Sequence, residues 1–163
     1  MAIQLVNFIK KKLYLCIIFF ILILSINSFT NTYIEVIFYV ILHILFVLYS
    51  FYGDFKLNYF IVFIIGFSLD IFLINNFGPH LLTFMFFYLL INKVYKYFIN
   101  QGQLIIVLSN LLFVLLLFIM EKALIYFVYG LNINFYNLLQ CIIFSTILFY
   151  PIYLILNKIK SNL

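Results

Sequence analysis

Six apolar runs divide the chain, at about 13–25, 33–52, 57–74, 81–91, 103–126 and 138–157, and the stretches between them are richer in Asn, Gly, Lys and Asp. A helix needs roughly 20 apolar residues to cross a hydrocarbon core about 30 Å thick, so the pattern predicts six transmembrane helices in one compact domain. The first and fourth runs are short, and they extend by recruiting residues 26–29 and 77–80; a five-span arrangement is the alternative. Within lipid the backbone must satisfy itself inside each helix, which places Gly and Pro mainly at helix ends or on protein-facing positions.

Lysine positions set the orientation, because basic residues accumulate in short cytoplasmic loops. With the N-terminus inside, Lys10, Lys11, Lys12, Lys56, Lys93, Lys96, Lys158 and Lys160 all fall on the cytoplasmic side, leaving only Lys122 outside. The expected fold class is therefore an all-α integral membrane bundle with both termini cytoplasmic. Lys10-Lys11-Lys12 before an apolar run also resembles a secretory signal, but Ser25-Ile26-Asn27-Ser28 lacks the small-x-small form of a cleavage site. The segment reads as a retained first helix.

Composition agrees. With 69% hydrophobic and 8% charged residues, no polar surface for a soluble domain is available. The net charge of +5 is explained by topology, not by nucleic acid. Phe and Tyr abundance without a single Arg is consistent with an AT-rich genome and says little about ligand stacking. Cys16 and Cys141 both fall in predicted spans, with no second ligand at metal spacing, and read as small packing residues.

The polar residues inside the runs carry the chemistry. Asp70 lies in the third run, where a carboxylate costs about 2.5–3.5 kcal/mol on insertion scales and is retained only where it faces protein, water or a partner. Gly66 precedes it by four residues on the same helix face and lets another helix approach. Asn75-Asn76-Phe77-Gly78-Pro79-His80 reads as a tight turn joining the third and fourth helices, with Pro79 suited to starting the latter. His80 is expected as a turn residue that could reach back toward Asp70. Asn110 and Glu121 share a stripe of the fifth helix with Leu117 between them, a stripe expected to face protein. Glu121 itself reads as a solvated interfacial carboxylate. His43, halfway along the second helix, is expected to hydrogen-bond to a neighbouring helix; Glu35 and Asp54 are expected in solvent. No nucleophile with a base, no carboxylate pair and no HExxH pattern is present, so neither catalysis nor a metal or other cofactor is expected.

Gly66-Phe67-Ser68-Leu69-Asp70, seven further residues, Gly78, and an apolar helix carrying Tyr88-Leu89-Leu90 together resemble the signature of the MreD family of rod-shape-determining membrane proteins. Tyr150-Pro151-Ile152-Tyr153 resembles that family's C-terminal segment. The motif covers about 25 residues, and the rest matches in architecture; Thr32-Tyr33-Ile34-Glu35 departs from it, since the family often has Pro at the start of the second helix. The resemblance implies a non-enzymatic member of the cell-elongation complex, binding a single-pass MreC-like protein and acting indirectly with MreB and the lateral-wall synthases. It implies that Gly66, Asp70 and Gly78 shape the hairpin and hold either an interface or an internal contact. If Asp70 makes one interhelical hydrogen bond, its loss is expected to cost about 0.6–2 kcal/mol. The alternative is the substrate-binding subunit of an energy-coupling-factor vitamin transporter, also a six-helix protein, but residues 13–24 contain no Ala or Gly for docking a coupling partner.

Overall fold

The computed structural model describes residues 14, 16–26, 32–51, 57–74, 78–98, 101–130 and 134–161, and these are helical apart from short connections. Among the described residues six helices follow in order: α1 (Cys16–Ile26), α2 (Thr32–Phe51), α3 (Tyr59–Leu69) continuing into a wider π-helical turn (Asp70–Ile74), α4 (Pro79–Phe98), α5 (Gln103–Tyr129) and α6 (Phe135–Ser161). Three helical segments, Tyr33–Phe51, Gln103–Tyr129 and Phe135–Lys158, are long and apolar enough to cross a membrane, while Cys16–Ile26 and Tyr59–Leu73 are shorter apolar helices. The lysines Lys10, Lys11, Lys12 and Lys56, together with Asp54 and the Asn75-Asn76-Phe77 part of the turn, lie outside the described residues.

Two helix boundaries move most from the apolar pattern. The run at 81–91 belongs to a helix of 20 residues, because its last two turns carry Asn92, Lys93 and Lys96, whose polar tips reach outward while the helix continues beneath them. The run at 138–157 likewise lies within a longer α6, which continues through Pro151. α5 ends where Gly130, at φ +64°, donates its N–H to the carbonyl of Tyr126, the left-handed cap that glycine accepts without strain.

The long helices of this bundle are apolar on their inner and outer sides alike, with most of their polar groups in the middle turned inward. α5 buries Asn110, Phe113, Val114, Leu117, Phe118 and Glu121 on one stripe and exposes Leu104, Leu108, Leu112 and Leu116 on another. An amphipathic helix in water would carry polar residues on that outer stripe; an apolar one suits a lipid-facing surface, where apolar side chains need no cover. The core is built from α2, whose Val40, Leu42, Ile44, Phe46, Val47 and Leu48 are all fully buried. α2 packs against α4, α5 and α6, and the ring of Phe19 in α1 lies 6.2 Å from that of Tyr49.

α3 and α4 form the tightest pair, an antiparallel hairpin pinned near both ends. At one end the Tyr88 hydroxyl donates to the carbonyl of Leu57. Nearer the other end the backbones touch: a Cβ added at Gly66 would lie 2.6 Å from Cα of Leu81. No side chain fits there without moving the helices apart. Gly66→Ala should therefore lower the thermal midpoint in detergent, by the equivalent of about 1–3 kcal/mol of overpacking. Gly102→Ala, at a site with nothing within 4 Å, should leave it nearly unchanged; equal effects of the two would show that the close crossing is not a constraint.

Candidate functional site

Asp70 stands at the start of the π turn with its side chain fully buried. Its Oδ2 accepts the backbone N–H groups of Gly78 at 2.9 Å and Leu81 at 3.1 Å, and its Oδ1 accepts the N–H of His80 at 2.9 Å. The first turn of an α-helix leaves N–H groups with no partner inside the helix, and buried among apolar side chains they need a partner from the protein itself. Here the account closes. Gly78 is the cap residue, since its carbonyl accepts from Leu82 at 2.8 Å; Pro79 has no N–H; His80 and Leu81 complete the turn. One carboxylate from the preceding helix thus satisfies the N–H of the cap residue and both N–H groups the first turn leaves over, and its negative charge sits at the positive end of the α4 dipole. Gly78 is required by conformation, its φ of +139° being a region that other L-residues rarely adopt.

From Asp70 the polar contacts continue inward across four elements. His80 Nδ1 lies 2.8 Å from Asp70 Oδ1, and His80 Nε2 lies 2.5 Å from Glu121 Oε1 on α5. Glu121 Oε2 lies 2.8 Å from His43 Nε2 on α2, and His43 Nδ1 donates to the carbonyl of Tyr39 at 2.7 Å. The Tyr39 hydroxyl donates to Glu121 Oε1. Both histidines of the chain and both fully buried carboxylates belong to this one string. The rings of Phe84 and Phe118 lie 5.1 and 4.6 Å from that of His43 and close off its end.

Partner chemistry fixes the number of protons. His43 Nδ1 faces a carbonyl and His80 Nδ1 faces an Asp70 oxygen that already accepts a backbone N–H, so both Nδ1 atoms carry hydrogen. Each Nε2 then faces a Glu121 oxygen and needs one further proton between nitrogen and oxygen. With two carboxylates and two such protons on two imidazoles, the four side chains sum to zero charge wherever along each contact the proton rests. A neutral, mutually satisfied cluster is the form in which buried ionisable groups are tolerated.

The structure brings Gly66, Asp70, Gly78, Pro79, His43 and Glu121 to one hairpin and cluster, and leaves Asn110 apart from it. Glu121 corrects the sequence reading: it is fully buried, not a solvated interfacial group, because three donors from α2 and α4 hold it inside. Asp70 makes four hydrogen bonds rather than one, all within the chain, so it is an internal contact. Glu35, expected in solvent, is partly buried. Cys141 is buried as a packing residue, whereas Cys16 is exposed, on a helix whose Ile17, Phe20, Ile21 and Leu24 are exposed too. Asn110 faces protein with neither amide atom bonded. Tyr39 was missed by sequence reading, although its spacing of four from His43 puts the two on one helix face. Among the described residues, no three His, Cys, Asp or Glu side chains are placed to hold a metal ion. No family model, curated protein or solved structure matches the chain.

Asp70→Ala should strand three backbone N–H groups and the His80 ring N–H, each costing about 1–3 kcal/mol when left unpaired. The loss in denaturation by a harsh detergent should exceed that of a single interhelical hydrogen bond, and Asp70→Asn should fall between wild type and Ala because its amide group confronts N–H donors. A cost for Asp70→Ala no larger than one such bond would contradict the capping role. Glu121→Leu should cost about 3–5 kcal/mol, because Asp70 then balances only one of the two imidazoles. Combined with His43→Phe, it should cost clearly less than the sum of the single changes; strict additivity would mean that the two side chains do not interact.

Proposed function

We propose that this protein is a non-enzymatic, multi-pass scaffold of the bacterial cell-elongation complex, crossing the inner membrane six times with both termini cytoplasmic. In this reading it binds a single-pass MreC-type protein and supports lateral peptidoglycan synthesis, with MreB and the wall synthases as indirect partners. The observation that carries it is the coincidence of motif and architecture. Gly66, Asp70 and Gly78, on which the resemblance to the MreD family rests, build the α3–α4 lock together with Pro79, each for a separate physical reason. The state of the ionisable groups supports a scaffolding role. Asp70, His80, Glu121 and His43 are engaged with one another, joining α2, α3, α4 and α5 through contacts of the kind that hold membrane helices together.

Large apolar side chains line much of the outward surface of α5 and α6, so contacts to a partner would form between helices in lipid, through packing and occasional polar groups. Purification of the tagged protein from native membranes in mild detergent, followed by mass spectrometry of what accompanies it, tests the assignment. The expected companion is a single-pass protein with a coiled-coil external region. A pair of ATPases with a transmembrane coupling subunit would replace the scaffold reading with vitamin uptake.

A further inference from the structure

A cavity of about 270 Å³ opens among α1, α2, the π turn, α4, α5 and α6 at the end of the bundle where Asp70 caps α4. Its polar lining is Glu35, Tyr39, His80, Lys122, Asn137 and Cys141, with aliphatic side chains between them. The helical spacing arranges these groups in two layers. Glu35 and Asn137 each lie four residues, one turn or about 6 Å, nearer their helix starts than Tyr39 and Cys141. Lys122 belongs to the deeper layer, its ammonium 5.5 Å from the centre of the Tyr39 ring.

Two opposite charges thus line one cavity without pairing with each other: the ion pairs among the described residues involve only the two histidines, Asp70 and Glu121. Nor does Glu121 answer the charge of Lys122, since Glu121 is already balanced by the two imidazoles behind it. A cation held against an aromatic ring at the floor and a carboxylate one turn above it are complementary to a molecule carrying both signs. We propose that this cavity binds a short zwitterion, its anionic group on Lys122 and its ammonium on Glu35, with Asn137 hydrogen-bonding between them. The volume is that of a small ligand, near the lower end of ligand pockets. The chemistry is shared by a free amino-alkyl phosphate or amino acid and by the headgroup of an aminophospholipid. The site does not depend on the scaffold reading, and its failure would leave that reading where it stands.

The test uses O-phosphoethanolamine, titrated calorimetrically into the full chain in detergent, and in parallel the chain in phosphatidylcholine nanodiscs with or without phosphatidylethanolamine. Saturable binding is expected, weakened by at least about tenfold in both Lys122→Gln and Glu35→Gln, with helicity unchanged in each. Binding of the free probe would identify a soluble zwitterion, and enrichment of phosphatidylethanolamine alone would identify a lipid headgroup; either supports the site. Occupancy should also slow alkylation of Cys141 by N-ethylmaleimide, with the exposed Cys16 as internal control, a readout that does not require the variants to fold. Inorganic phosphate binding as tightly as the probe with Glu35→Gln neutral, or no binding and no protection in either arm, would overturn the proposal.

Discussion

A single carboxylate decides how this bundle is put together. The start of α4 presents three backbone N–H groups that nothing in its own helix can accept, and Asp70 takes all three. In water those donors would be hydrated whether or not a carboxylate was near, and the contact would be a modest helix cap. In an apolar bundle the alternative to Asp70 is no partner at all. The neighbouring residues follow from that requirement. Gly78 supplies the backbone conformation that brings the N–H groups together, Pro79 removes the fourth donor, and Gly66 lets α3 and α4 lie close enough for the carboxylate to reach. The π turn that begins at Asp70 is the kind of irregularity that helices place at sites with a task.

The second consequence is electrical. A carboxylate committed to a helix end brings a negative charge into the interior, and so does Glu121; two imidazoles carrying two shared protons return the sum to zero. Because the string passes from α3 through α4 and α5 to α2, neutrality is reached only when all four elements are in register. Removing one member leaves the others both unpaired and charged, which is why the cost of breaking such a cluster exceeds what it contributes relative to an apolar replacement of the whole.

Much of the hairpin was legible in the sequence, and little of the cluster was. Asp70, Gly66 and the Gly78-Pro79 turn stand close along the chain, and each has a local reason to be read as it is: a carboxylate where apolar residues are expected, a glycine one turn away, a turn dipeptide beyond. Glu121 offered no such cue. It lies toward the end of the fifth apolar run beside Lys122, where a solvated carboxylate is ordinary, and only the convergence of α2 and α4 upon it shows otherwise. The same holds for Tyr39, one aromatic among many, and for the contact of His80 with Glu121, whereas the reach of His80 back to Asp70 and a bond from His43 to a neighbouring helix were both expected. Positions set by neighbours in sequence can be inferred from spacing, whereas positions set by packing between distant helices cannot. The helix ends illustrate the same point, since α4 outlasts its apolar run by carrying Lys93 and Lys96 outward.

A chain that is 69% hydrophobic has an unusual specificity problem. Between apolar helices in lipid, one packing differs from another by small dispersion terms, and many rotations of a Leu-rich and Phe-rich helix bury nearly equal contacts. Polar groups separate the alternatives, because a helix turned away from its partner leaves an unpaired donor or charge that dispersion cannot offset. His43 on α2, His80 on α4 and Glu121 on α5 each fix the rotation of one helix, and Asp70 fixes both the rotation of α3 and the point at which α4 begins. Four ionisable residues therefore specify the relative placement of four helices. Buried ionic groups are best attested in such a registry role, and here it accounts for the retention of every histidine in the chain at one place without assigning any of them to a reaction.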